Sequence, residues 1–369
     1  MTPEEHARLS AVGRQFQIPG DYHEGYRIKI GHINETFAAT YRHFGTPFRV
    51  VHQTVNTHVF RDPSGLMRNV VRVTEHVRRR LADRGLDQIP RRVLQAVPAR
   101  DGGFHHIDGD GVFWRTFILV EGVRSHDAVE EPRQAYQAGL AFGRFQSLLA
   151  DLPADQLVTT IPDFHHTPKR YERLLAAVER DEFNRAHTAR AEIEFARSLE
   201  AMVPALVEAE AQGRVPVRVT HNDTKFNNVL LDEATGEAMC VVDLDTVMPG
   251  LVLYDFGDMV RTTTSRTAED EMYLDRVELE MPMFEALLRG YLEAAGEFLT
   301  AGERRLLVLS GRLITFTIGI RFLTDYLEGD AYFRIHREQH NLDRCRKQFR
   351  LIRSMIERED VMERLVERM

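Results

Sequence analysis

The hydrophobic period of this sequence changes once, near residues 121–122, and that change limits the fold more than any single motif does. Before it, short β-branched and aromatic runs alternate with turns: YRIKI (26–30), TFAATYRH (36–43), FRVVHQTV (48–55), RRVLQAV (91–97), GGFHHID (102–108) and GVFWRTFILV (111–120). FGTP (44–47) and the Gly109 turn punctuate these runs, and one helix is expected over residues 68–82. After it, helical spacing takes over. Ala138, Phe142, Phe145 and Leu149 recur at intervals of four, three and four, and further helices are expected at about 168–182 and 190–211. Thr300 and Glu303 form a capping box ahead of LLVLSGRLITFTIGIRFL, and Leu342, Cys345, Phe349, Ile352 and Ile356 make an apolar stripe. A sheet-building first third followed by a helix-building remainder predicts an α+β fold of two lobes, residues 1–121 and 122–369.

With 369 residues, 43% of them hydrophobic and 28% charged, the chain has enough apolar surface for a large core. Its net charge of −8 gives no global positive field for nucleic acid, and Arg78-Arg79-Arg80 is read as a solvated helix face. MTPEEHARLSAVGRQF lacks the basic and apolar segments of a leader and starts a helix through Thr2, Pro3 and Glu5. The most apolar stretch, 306–323, carries Arg312 and Arg321 and is expected to be a buried helix and not a membrane span. Two cysteines, Cys240 and Cys345, indicate no disulfide framework. The expectation is a cytoplasmic protein that binds neither nucleic acid nor membrane.

Chemistry concentrates in residues 219–245. VPVRVTH (215–221) reads as a strand leading into Asn222-Asp223, and NVLL and AMCVVD read as a hairpin around Thr235-Gly236. Such a hairpin brings Asn228 and Asp243 to its open end, with Asp223 in the loop that feeds it. Mg²⁺ takes oxygen ligands, usually one or two protein groups plus substrate phosphates, and Asn228 with Asp243 suits that need. A carboxylate beside the metal but outside its shell, Asp223, can take the proton of an attacking hydroxyl. The plain alternative is a hairpin with polar ends.

His221-Asn222-Asp223-x₄-Asn228 followed by Val242-Asp243 resembles the aminoglycoside phosphotransferase/choline kinase branch of the protein-kinase-like superfamily. More narrowly, GHIN (31–34), MRNV (67–70), RVTHNDTKFNNVL, DLDTVMPG (243–250), DFGD (255–258) and RFLTDYLEGD (321–330) are similar to the N-acetylhexosamine 1-kinases. The resemblance implies a two-lobed protein-kinase-like fold and ATP- and Mg²⁺-dependent phosphorylation of a free N-acetylhexosamine (GlcNAc or GalNAc) at its anomeric hydroxyl, giving the α-1-phosphate. It implies Asp223 as the catalytic base touching the substrate, Asn228 and Asp243 as Mg²⁺ ligands, and His221 and Asp255 as supports of the loop. In protein kinases the metal Asp belongs to Asp-Phe-Gly. Here Asp255-Phe256-Gly257 lies twelve residues past Asp243, and the hairpin and the family both give the metal to Asp243. Asp245 is open between a second metal, a water and bulk solvent.

The same resemblance places Gly31 and Asn34 near the phosphates of ATP, with His32 toward the phosphates or the sugar; an ordinary hairpin turn is the alternative for GHIN. Gln53 stands where kinases carry a phosphate-binding lysine. It donates a hydrogen bond without charge, so Mg²⁺ and other cations must neutralise more of the triphosphate. Lys225 is either one of those cations or an exposed loop lysine. Residues 117–121 are expected to be the hinge, with Leu119 and Glu121 against adenine. Arg321 interrupts an apolar helix and either pairs with Asp325 at i+4 or contacts the sugar, with Tyr326 and Asp330 as nearby candidates. FHHTP (164–168) has two adjacent histidines but no clear third metal ligand. The competing readings are a kinase of another small hydroxyl substrate (another sugar, an aminoglycoside, choline or homoserine) and an inactive nucleotide-binding module.

Overall fold

Helix α1 (Pro3–Gly13) starts as its sequence predicts, because Thr2 accepts the Glu5 N–H and Glu5 reaches back to the N–H of Thr2. These elements belong to a computed structural model that describes residues 1–28 and 34–369; the expectations for Gly31 and His32 fall outside the described residues. Strands β1 (Asp21–Ile28), β2 (Thr36–His43) and β3 (Thr46–Val55) follow, and the β2–β3 turn places Phe44 and Gly45 at positive φ. Helix α2 (Pro63–Asp83) is capped by the Asp62 carboxylate, which accepts the Gly65 N–H. The short α3 (Ile89–Arg92), β4 (His106–Ile107) and β5 (Phe113–Ile118) complete the first third.

The five strands make one antiparallel sheet in the order β1-β2-β3-β5-β4. Leu9, Phe16, Tyr41, Val50 and Trp114 close its core against α1, while Val70, Val77 and Phe117 belong to a second core around α2. Two expected strands are corrected. Residues 91–97 begin inside a helical turn that Pro90 favours, and of them only Ala96 bridges β5, at Phe117. Residues 102–108 contribute just His106–Ile107.

Past β6 (Val123–Arg124) come helices α4 (Pro132–Leu149), α5 (Thr167–Arg180), α6 (Arg190–Ser198) and α7 (Ala205–Ala211). Strands β7 (Arg218–Thr220), β8 (Val229–Asp232), β9 (Ala238–Val241) and β10 (Met248–Gly250) interrupt them. Helices α8 (Val252–Thr263), α9 (Met281–Ala295), α10 (Ala301–Arg305), α11 (Leu307–Leu327), α12 (His340–Glu357) and α13 (Glu359–Arg368) follow. The single helix expected over 190–211 is broken between α6 and α7, where Pro204 cannot extend a preceding helix. Helix α11 is long and apolar enough to cross a membrane, yet it is buried on nearly every side against α5, α8 and α12. Helices α4 and α9 meet backbone to backbone. A Cβ added to Gly139 would fall 2.2 Å from the Leu287 carbonyl oxygen, and one on Gly290 would fall 2.1 Å from that of Tyr136. The result is the predicted α+β architecture, an antiparallel sheet lobe followed by a helical region that carries a small hairpin.

Candidate active site

The hairpin forms where alternating apolar residues meet a turn: β8 and β9 pair antiparallel with Val229 opposite Val241, and Gly236 turns at φ +70°. Beyond the last pair, the Val242 N–H donates to the Asn228 carbonyl at 2.9 Å, so Asn228 and Asp243 leave the hairpin at one end. Strand β7 delivers His221-Asn222-Asp223 to the same end. There Asn228 Nδ2 donates to the Asp223 carbonyl at 2.8 Å and lies 3.4 Å from its carboxylate. Lys225 Nζ forms an ion pair with Asp223 at 2.9 Å.

Four carboxylates surround this point, and what each one holds differs. Asp255, in the first turn of α8, accepts the backbone N–H groups of His221 (3.0 Å) and Asn222 (2.6 Å) and the Gln146 amide (2.8 Å). The Asp-Phe-Gly acid therefore fastens the 221–223 loop, and Phe256 is core. Asp245 is buried and bonded to Arg115 at 2.5 Å and to Asn34 Nδ2 at 2.6 Å, which excludes the solvent-facing reading. Asp223 holds Lys225. Asp243 alone of the four accepts no hydrogen bond among the described residues, although its backbone sits in the left-handed region (φ 60°, ψ 59°).

Their electrostatics diverge accordingly. The Asp243 side chain is partly exposed but crowded by Asp245, Asp223, Lys225 and His221. Desolvation, then the charges of Asp245 and Asp223, push its pKa up to about 6. For Asp223, burial favours the protonated form, but Lys225, His221 and Arg261 outweigh it and hold the carboxyl below its usual range. Asp223 is thus charged and paired, while Lys225 and His221 offset only part of the rise at Asp243, which has no ion pair among the described residues. An unneutralised carboxylate beside an amide oxygen is a donor set that a hard divalent cation fits. Among the described residues no three His, Cys, Asp or Glu gather into a metal site, so such an ion would take its remaining ligands from substrate and water.

The loop is held rigidly. His221 is fully buried against Phe142 and Phe145; its Nε2 donates to the Val242 carbonyl at 2.9 Å and its Nδ1 accepts the Asp223 N–H at 3.3 Å. Both ring nitrogens are engaged, so the ring orients the loop. His165, from the FHHTP segment, donates Nε2 to the Asn222 carbonyl at 2.8 Å, and burial lowers its pKa to about 4. His166 instead caps α5 by accepting the Lys169 N–H. The histidine pair therefore braces two backbone segments, and nothing in the sequence placed it near the loop.

On the sheet side, Gln53 lies directly across from Arg115 in the β3–β5 register. It accepts Arg115 Nε at 3.2 Å and donates to Thr36 at 3.0 Å. The cation absent at Gln53 thus stands one strand away. Sequence reasoning missed Arg115, whose only signal was its register opposite Gln53. In the 119–122 link, the Leu119 N–H donates to the Arg49 carbonyl and the Glu121 carbonyl accepts from Arg91. The Leu119 carbonyl and the Glu121 N–H have no partner among the described residues. The Glu121 carboxylate is exposed, 3.7 Å from Arg49.

The substrate candidates separate. Arg321 does not pair with Asp325. That carboxylate instead accepts the backbone N–H groups of Tyr332 (2.7 Å) and Phe333 (2.9 Å) and the Asn341 amide. The Arg321 guanidinium lies 5.0 Å from the Phe164 ring, 5.5 Å from Phe333 and 5.9 Å from Tyr332, with no carboxylate partner among the described residues. Desolvation lowers its pKa, opposed by Tyr332 and by Asp223, which places it within electrostatic reach of the loop acid. Tyr326 is corrected out of the site: it is buried in the helical core and its hydroxyl meets Thr188 at 2.8 Å. Five residues along a helix turn a side chain by about 140° from Arg321, onto another face. Asp330 is occupied by Arg185 at 2.6 Å and by Asn341. Tyr332, which the sequence did not single out, lies beside the Arg321 guanidinium instead.

A model of the phosphotransferase enzyme family APH matches residues 27–301. Similar solved structures include the microcompartment-associated aminopropanol kinase, at 14% identity and TM-score 0.61, covering 97% of this chain and 98% of that one. An aminoglycoside phosphotransferase from Alicyclobacillus acidocaldarius gives 12% identity and TM-score 0.63, with 100% and 97% covered. Spectinomycin phosphotransferase, solved with ADP and spectinomycin, gives 12% and 0.56, with 95% and 96% covered. At these identities the likeness is one of fold.

Proposed function

The chain belongs to the phosphotransferase enzyme family APH, and from that premise we propose that it moves the γ-phosphoryl group of ATP to the anomeric hydroxyl of a free N-acetylhexosamine, GlcNAc or GalNAc. The observation that carries the reading is Asp243: an acid without a donor, on a strained backbone, at the hairpin end it shares with Asn228 and beside Asp223. Asn228 and Asp243 would hold Mg²⁺, which when bound neutralises charge on the β- and γ-phosphates. The nucleotide would lie between residues 1–121 and 122–369. The free Leu119 carbonyl would accept the adenine amino group and the free Glu121 N–H would donate to the ring. The roles of Asn34 and Gln53 become indirect: they hold the buried pair Asp245 and Arg115, which braces the turn next to Asp243.

Asp223 would orient the acceptor hydroxyl and take its proton. The ring oxygen makes the anomeric hydroxyl the most acidic of a sugar, so a carboxylate suffices as base. Lys225 balances Asp223 in the free protein; turning to the γ-phosphate, it would leave that carboxylate less stabilised and a better base. Positioning and charge neutralisation then supply most of the rate.

The substrate side favours a neutral acceptor. Arg321 and the neighbouring Arg170 have no carboxylate pair among the described residues; burial lowers the proton affinity of both, and the charge of Arg321 lowers that of Arg170 further. A cationic amino alcohol or aminoglycoside would be repelled there, whereas sugar hydroxyls and an N-acetyl carbonyl can accept from guanidinium and lie against Phe164, Tyr332 and Phe333. The test is incubation with ATP, Mg²⁺ and a panel of free sugars and amino alcohols, with phosphorus NMR to locate the ester. An ester at the anomeric carbon of GlcNAc or GalNAc is expected. An ester at carbon 6, or turnover confined to amino alcohols, would overturn the proposal.

A further inference from the structure

A second opening lies behind the acid-bearing turn. Helices α2 and α4 and strand β9 enclose a cavity of about 450 Å³, inside the range of about 300–1,000 Å³ typical of small-molecule sites. Its walls are apolar: Val77 and Leu81 of α2, Phe145 and Leu148 of α4, Val241 of β9, and Leu244. Asp223, Asn228 and Asp243 are not among its lining residues, so it is separate from the site described above.

The rim is cationic. Arg84, Arg92 and Arg144 line the opening with one acid, Glu237. Arg92 donates Nε to the Asp87 carbonyl; none of the three arginines forms an ion pair among the described residues. Three like charges around one mouth repel, and an anion placed among them would relieve that repulsion through charge-assisted hydrogen bonds. An apolar floor under such a rim rejects a bare phosphate and accepts a molecule with two ends.

We propose that this cavity binds one amphipathic anion, with its apolar body against Phe145, Leu148 and Leu244 and its carboxylate- or sulfonate-type head among Arg84, Arg92 and Arg144. Leu244 separates Asp243 from Asp245, so the occupant touches the turn that carries both acids.

The test uses the full chain and anilinonaphthalene sulfonate, a fluorescent apolar body with one fixed negative charge. One equivalent is expected to bind with a fluorescence rise. Phenylnaphthylamine, the same body without the charge, and the variant Arg84→Gln/Arg92→Gln/Arg144→Gln are each expected to weaken binding by about tenfold or more. Arg84 and Arg144 are exposed and Arg92 is half-buried, so that variant should keep the parent's thermal midpoint, checked by circular dichroism. Leu148→Trp, which fills the cavity, should abolish the one-equivalent signal. Binding that survives the triple substitution or Leu148→Trp unchanged, or that shows no preference for the charged probe, would overturn the proposal.

Discussion

Breaking the Arg115–Asp245 pair should cost the fold several kcal/mol, and the size follows from where the two groups sit. Their side chains are 2% and 3% exposed, and the bond joins the middle of β5 to the turn after β9. Arg115→Met leaves the Asp245 carboxylate buried with only the Asn34 amide, and an uncompensated buried charge of this kind costs about 3–5 kcal/mol. For a chain of 369 residues unfolding with about 2.1 cal/mol/K per residue, that lowers the thermal midpoint by about 4–6 °C. Arg115→Met/Asp245→Leu removes both charges, strands the neutral Asn34 amide and the Gln53 side-chain oxygen, and should recover all but about 2–3 kcal/mol. The assay is a double-mutant cycle by urea denaturation, with calorimetry to confirm that each variant unfolds in one transition. An Arg115→Met penalty under about 1 kcal/mol, or a double variant whose loss equals the sum of the two single ones, would refute the reasoning.

Asp223→Asn should lower turnover by orders of magnitude while leaving ATP affinity nearly unchanged, read by steady-state rates and nucleotide titration. Arg321→Ala should raise the acceptor KM strongly, whereas Tyr326→Phe, which loses only the Thr188 contact, should leave acceptor kinetics alone. His165 is buried neutral with its pKa lowered from 6.5 to about 4, so the unfolded chain binds the extra proton between those values. Stability should be full above about pH 6.5, fall as pH drops, and be lower by about 3 kcal/mol once pH 4 is reached; His165→Gln, measured by urea midpoints across that window, should flatten its share of the slope.

Local rules explain what the sequence disclosed. Both capping boxes, the bounds of β2 and the 228–243 hairpin depend on residues within about fifteen positions, and propensity and turn chemistry act over that range. The convergence of Asp223, Asn228 and Asp243 was legible for the same reason. The Arg115–Asp245 pair was not, because 130 positions separate its members and only the sheet register and the packing of β5 on the turn bring them together. Residues 91–97 have strand composition, but Ile89-Pro90 starts a helical turn and tertiary packing leaves one bridge. Tyr326 was chosen for its nearness to Arg321 in the chain, which a helix does not translate into nearness in space. Tyr332 reaches that side because Asp325 folds the segment after α11 back on itself.

The bare crossing of α4 and α9 makes the reactive loop sensitive to packing between two helices that carry none of its acids. Tyr291, the residue after Gly290, donates its hydroxyl to Gln146 of α4 at 2.8 Å, and Gln146 in turn grips Asp255, which fixes the N–H groups of His221 and Asn222. A single methyl at Gly290 would wedge the two helices apart and tug that relay out of line. The aim of Asp223 is therefore set partly by two atoms of hydrogen at a helix crossing.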